Sequence, residues 1–251
     1  MTLKASQKSA ANYAEEIFDE FVSWSGGELV HTLFNHGEKR PLNADYLLSN
    51  REVVGELKCL SEDYFNSKAI KNKSTALLNK WLAEGLIPKE CIKDNIIKLP
   101  SHLTSKFSEI FLPSLKTAVE KANKQIKATK EHFGIKDAKG LLILINEKNS
   151  SLTPQLVLAL LARILKSQYS SINSFIYLVP TMGVTSPENT EPSRVWFSGP
   201  TRNPESGVDS EFMGSLGEHW IKFLEIKHGQ SIKVNHCADH AAVDNLKYTR
   251  E

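Results

Sequence analysis

The chain has 251 residues, 41% of them hydrophobic and 24% charged, with a formal net charge of +2. That balance is ordinary for a globular chain with a sizeable core, and it announces no polyanionic partner, so any basic surface must be local. No apolar run approaches the ~20 residues that a membrane span needs, the start "MTLKASQKSAANYAEEIF" lacks the apolar region of a secretory signal, and Cys59, Cys91 and Cys237 have no paired spacing, which fits reduced thiols in a cytoplasmic protein.

The first predicted helix runs from Ser9 to about Trp24, with Tyr13, Ala14, Ile17, Phe18 and Phe21 on one face, and Gly26-Gly27 ends it. "ELVHTLF" (28–34) reads as a strand and "HGEKRP" (36–41) as a turn. "NADYLL" (43–48) and "EVVGELKCL" (52–60) are two more strands, joined through "SNRE". Residues 61–114 are polar and Lys-rich around one helical stretch, "STALLNKWLAEG" (74–85), and read as an insertion at the edge of the core. From Leu115 to Phe133 a helix carries Leu115, Val119, Ala122, Ile126 and Phe133 on one stripe.

"GLLILIN" (140–146) and "SFIYLVP" (174–180) are short continuous apolar runs, the mark of strands buried on both faces. Between them "TPQLVLALLARILKS" (153–167) is a helix with Thr153 as N-cap and Pro154 at its first position. Residues 181–210 read as a long loop around a short strand, "RVWF" (194–197), followed by a helix near 211–227 and a strand at 231–235. The order predicts an α/β fold, a single domain over 1–251 in which helices cover a central mixed sheet, with a C-terminal extension at 181–251.

Charge inside the apolar strand 52–60 demands a reason. Glu56 and Lys58 share one face of it while Leu57 and Cys59 take the other. A symmetric even turn centred between Asn50 and Arg51 pairs residues whose numbers sum to about 101, which sets Asp45 opposite Glu56 on the same face. Two carboxylates and an ammonium crowded among apolar neighbours are unfavourable as pure structure. They make sense around a hard divalent cation such as Mg²⁺ or Mn²⁺, which prefers oxygen ligands, binds phosphate and acidifies a bound water. A solvent-facing Glu–Lys pair on a surface strand is the plainer alternative.

At these residues the chain resembles the restriction-endonuclease-like PD-(D/E)xK nuclease superfamily. The match is Asp45 in "NADYLL", and Glu56 and Lys58 in "GELKCL", within an αβββαβ order spanning about residues 10–180; Ala44 stands where the family's proline is usual. The resemblance implies a metal-dependent endonuclease acting on DNA, duplex favoured, as a restriction, phage-defence or repair enzyme. Asp45 and Glu56 would be its metal ligands and Lys58 would act on the water. It further implies a glutamate from the first helix, for which Glu20 lies closer to the apolar face than Glu16, and a glutamine from the helix after the motif, Gln125. A solvated or polar-flank role is the alternative for both. Lys116, Lys124, Lys127 and Lys130 lie nearly opposite Gln125, so Lys68, Lys71 and Lys73 are the expected phosphate contacts. A homodimer is compatible with all of this. The rival readings are a non-catalytic DNA-binding or interaction protein that keeps the fold, and an α/β enzyme acting on a small phosphorylated metabolite. His236, Cys237 and His240 in "HCADH" lack a second ligand pair for zinc, and Trp196 and Trp220 read as core rather than base-stacking residues.

Overall fold

The computed structural model describes residues 13–34, 41–60, 67–93, 96–97, 99–147, 153–166, 169–185, 193–201, 204–232 and 247–248. Helix α1 (Tyr13–Trp24) buries Ala14, Ile17, Phe18, Phe21 and Val22; the predicted start at Ser9 lies outside the described residues. Strand β1 is only Glu28–Leu29 and passes into a 3-10 turn, Val30–Leu33, where a strand to residue 34 was expected. The Thr32 hydroxyl donates to the Leu29 carbonyl at 2.7 Å, a local bond that competes with extension. Strand β2 (Tyr46–Leu48) also offers only three residues to pair with.

Strand β3 (Val53–Leu60) pairs with β2 in the register Tyr46↔Gly55, Leu47↔Val54 and Leu48↔Val53, the predicted sum of 101. The turn spans Ser49 to Glu52, with Glu52 N–H donating to the Ser49 carbonyl at 2.9 Å. Ser49, Asn50 and Arg51 all adopt positive φ (49°, 51° and 71°), a conformation that side chains resist. Tertiary contacts hold it. The Arg51 guanidinium donates twice to Glu28 at 2.7 Å and lies over the Phe133 ring.

The predicted insertion contains helix α2 (Lys68–Ala83), a two-stranded ribbon of β4 (Ile92–Lys93) and β5 (Ile96–Ile97), and helix α3 (Ser101–Ser108). Helix α2 starts six residues before the predicted helix, because Ser67 caps it by accepting from Ile70 N–H at 3.3 Å. Leu78, Trp81, Ile87 and Leu103 form a small core of their own here. Helix α4 (Leu112–His132) then returns the chain to the sheet.

Strand β6 (Lys139–Asn146), helix α5 (Pro154–Leu165), capped by Thr153, and strand β7 (Ser174–Thr185) follow as read. The segment expected as a long loop contains more strand than the short one read at 194–197. Strand β7 runs past Pro180 to Thr185, and β8 occupies Ser193–Pro200, paired antiparallel to it from Ser174↔Pro200 onward. Helix α6 (Ser210–His228) ends at Gly229 in the left-handed region, and β9 (Lys247–Tyr248) pairs with the far end of β7. Ser231 and Ile232 carry no strand, and the rest of the strand expected at 231–235 lies outside the described residues.

The sheet order is β1-β2-β3-β6-β7-β8, with β9 added on β7. Its centre, β3-β6-β7, is parallel and its flanks are antiparallel, so the sheet is mixed. Alternation divides the core cleanly. Val54, Leu60, Leu142, Leu144 and Tyr177 pack with α4 and α5, while Leu57, Leu141, Ile143, Ile145 and Ile176 pack with α1 and α6. Gly140 has no alternative: a Cβ there would stand 1.8 Å from the Ser171 carbonyl oxygen. Trp220 is fully buried between α1 and α6, and the Trp196 indole packs on Gly217.

Candidate functional site

Because β2 begins only at Tyr46, the outer edge of β3 beyond Gly55 has no strand beside it among the described residues. Asp45 fills the first vacant position. Its backbone N–H donates to the Gly55 carbonyl at 3.1 Å, and its carboxylate Oδ2 accepts from Leu57 N–H at 2.8 Å, replacing a ladder bond. Glu56 and Lys58 project from β3 toward α4, and Leu57 and Cys59 project the other way, as the alternation requires. The Lys58 ammonium donates to Glu56 Oε1 and, at 3.0 Å, to the amide oxygen of Gln125 on α4. The Gln125 amide donates in turn to the Asn43 carbonyl at 2.9 Å, which orients it. Thr129, one turn further along α4, accepts from Ala44 N–H at 2.6 Å and fixes the helix against the same loop.

Glu56 has no exposed surface, and its second oxygen, Oε2, is buried without a hydrogen-bond partner. Burial, reinforced by the adjoining Asp45 carboxylate and opposed by Lys58, pushes its pKa up to about 9. Burial raises Asp45 too, although Leu57 N–H and Lys58 pull it back. The two carboxylates act on each other's ionisation from one side of the sheet. A cation between them would supply the missing partner of Oε2 and remove their repulsion. Among the described residues no set of three or more His, Cys, Asp or Glu has metal-holding geometry. Two carboxylates suffice for Mg²⁺, which usually keeps several waters and takes the rest of its shell from a substrate phosphate. Asp45 and Glu56 therefore fit such an ion.

The helix α1 carboxylates were misassigned from the sequence. Glu20 is exposed and bonded to Lys227 of α6, and Glu16 is exposed. Glu15 is exposed as well, but it is the α1 glutamate whose pKa is raised, by partial burial and then by Asp45 and Asp19. Asp19, one turn on, accepts from the Tyr46 hydroxyl at 2.8 Å. The signal was in the periodicity: Tyr13 is exposed and Val22 is buried, which turns the apolar face away from Glu20 and toward Glu15.

Lys68, Lys71 and Lys73 are exposed on the first turns of α2 rather than in a loop. Helical spacing puts Lys68 and Lys71 on one side and sends Lys73 to the other, so the three do not form one patch. On α4, Lys116 and Lys127 face away from Gln125 as expected, each paired with the glutamate four residues on at 3.8 Å. Lys130 departs from that group. It is half-buried, donates to the Ser171 carbonyl at 3.4 Å, and burial lowers its pKa to about 8. Cys59 and Cys91 are free, and the Cys59 thiol is pushed up to about 12 by burial and by Glu147 and Glu15. His236, Cys237 and His240 lie outside the described residues. No described helix is long and apolar enough to cross a membrane.

Comparison with protein-family models, with curated proteins and with solved structures returned no match.

Proposed function

We propose that the chain is a nuclease of the restriction-endonuclease-like PD-(D/E)xK kind, hydrolysing phosphodiester bonds of DNA with Mg²⁺ or Mn²⁺. The observation that carries this reading is the buried Glu56, with an unpartnered oxygen beside Asp45 and a lysine held next to it by Gln125. The order of α1, β1, β2, β3, α4 and β6 around those residues supports it. Keeping two carboxylates and an ammonium at a sheet edge costs stability, and a site that had lost its chemistry would be free to shed them.

In this reading Asp45 and Glu56 hold the cation, which when bound polarises the phosphate and lowers the pKa of a bound water. Leu57 N–H holds the Asp45 carboxylate in one orientation beside Glu56, so the two carboxyls are set side by side before any ligand arrives. Lys58 is restrained at both ends of its hydrogen-bonding fork by Glu56 and Gln125, so its ammonium is ready to orient the attacking water or to meet charge growing on the phosphate. Restriction, phage-defence and repair roles all use this chemistry.

The test is incubation with linear, nicked and single-stranded DNA in Mg²⁺ or Mn²⁺, with and without EDTA. Cleavage that needs the metal and is lost in Glu56→Gln is expected. Full activity in Glu56→Gln, or undiminished activity in EDTA, would sink this reading.

A further inference from the structure

We propose that Lys121 of α4 grips a backbone phosphate of duplex DNA beside the one engaged at Asp45, Glu56 and Lys58, so that the Lys121–Gln125 edge of α4 is the track of the bound strand. The inference rests on the nuclease reading for its substrate, and on geometry for its residue.

The rotation of α4 about its axis is fixed by two anchors, Gln125 between Lys58 and the Asn43 carbonyl, and Thr129 on Ala44 N–H. Residues four apart on a helix share an edge, about 6 Å from one to the next. Moving back along that edge from Thr129 to Gln125 passes from Ala44 to Lys58. The next position is Lys121, beyond Lys58 in the direction in which β3 ends. One helical turn is of the order of the step between neighbouring phosphates of a strand.

Lys121 is exposed and has no ion pair among the described residues. The contrast along the same helix is informative. Lys116 and Lys127, on the far side, are neutralised by Glu120 and Glu131, and Lys130 is spent on the Ser171 carbonyl. Lys124 on the far side is exposed as well, so what sets Lys121 apart is its place on the edge shared with Gln125. The need for charge there is electrostatic. The adjoining Asp45 and Glu56 carboxyls would repel a polyanion when ionised, while the Lys58 ammonium is already occupied by Glu56.

The experiment compares Lys121→Ala, Lys121→Arg and the control Lys127→Ala by anisotropy on a short fluorescent duplex in Ca²⁺ over a salt series. Thermal melts of the same samples verify folding. Each phosphate contact contributes roughly 0.9 to the slope of log K against log salt. Lys121→Ala should flatten the slope by about 0.9, Lys121→Arg should restore it, and Lys127→Ala should match the wild type. In Mg²⁺, Lys121→Ala should raise KM with kcat within about twofold, as expected for lost uniform binding. A slope and KM for Lys121→Ala equal to those of Lys127→Ala overturn the inference while leaving the nuclease reading intact. Wild-type protein that binds duplex but never cuts it sinks the nuclease reading, and Lys121 then stands or falls by its slope. Wild-type protein that does not bind duplex overturns both.

Discussion

Two glutamate–lysine contacts in this molecule share their chemistry and little else. Glu20 and Lys227 meet on the surface between α1 and α6, with side chains 55% and 29% exposed. Glu56 and Lys58 meet at the edge of the sheet, where Glu56 has no exposure and Lys58 about a fifth of its surface. Water screens the first pair, so its worth is about 0–1 kcal/mol. The second is stripped of water, and its glutamate's other oxygen has no N–H donor and lies against the Asp45 carboxylate, with which it can share a proton. A surface pair is explained by its own attraction. A buried pair set against a second carboxylate is not explained by its own attraction alone.

That contrast can be broken most directly by activity. Asp45→Asn, Glu56→Gln and Lys58→Ala should each reduce DNA cleavage by roughly 10³-fold or more, the scale of losing a main electrostatic contact to a transition state. Glu20→Gln and Lys227→Ala should leave turnover within about twofold, since neither residue adjoins the cluster. A gel assay on one plasmid decides it, and a comparable loss in Glu20→Gln would erase the distinction.

Stability sharpens the contrast in another way. Glu56→Gln should leave the metal-free protein within about 1 kcal/mol of the wild type at pH 7, because a carboxyl whose pKa is pushed up to about 9 is already neutral there and the amide keeps its shape. The same variant should lose the rise in melting temperature that Mg²⁺ or Mn²⁺ gives the wild type. Glu20→Gln should instead destabilise by at most about 0.5 kcal/mol, less in high salt. Urea midpoints with and without the cation measure all three.

The smallest effect concerns Lys130, a half-buried cation whose partner is a carbonyl rather than a carboxylate. Its folded pKa of about 8 lies below its ordinary value of 10.5. Between those values the unfolded chain binds the extra proton, so this group makes stability rise with pH across that window and costs most below pH 8. Lys130→Met should lack that rise. Urea midpoints at pH 7.5, 9 and 10.5 that climb equally in both proteins would remove Lys130 as the cause.

Much of the site was legible because strand alternation is rigid. The face shared by Glu56 and Lys58 and the sum of 101 across the hairpin follow from a period of 2, whereas Gln125 is an expectation of the family resemblance that periodicity places only at the flank of its helix's apolar stripe. The same rules failed where one residue tips the balance. Taking Tyr13 as buried and omitting Val22 rotated the inferred face of α1, which favoured Glu20 over Glu16 and left Glu15 unconsidered. The extent of strands was harder still. "ELVHTLF" has the composition of a strand, but β2 gives it only two partners and Thr32 turns it into a 3-10 helix. In the opposite direction, the Pro-, Gly-, Ser- and Asn-rich segment from 181 reads as a loop, yet pairing with β8 and β9 carries β7 to Thr185. Strand length depends on the neighbour, which lies far off in the chain.

The small core built by Leu78, Trp81, Ile87 and Leu103 also bears on how such a chain can change over time. It lets the segment between β3 and α4 stand largely on its own packing. Insertions, deletions or replacement there alter the count of residues separating Lys58 from Gln125, now 67, without altering their 3.0 Å contact. The turn at Ser49–Glu52 has no such freedom, since one added residue would carry Asp45 across the sheet. Spacing along the chain is therefore fixed between Asp45 and Lys58 and elastic between Lys58 and Gln125, and relatives of this protein should vary in length at the second interval and not at the first.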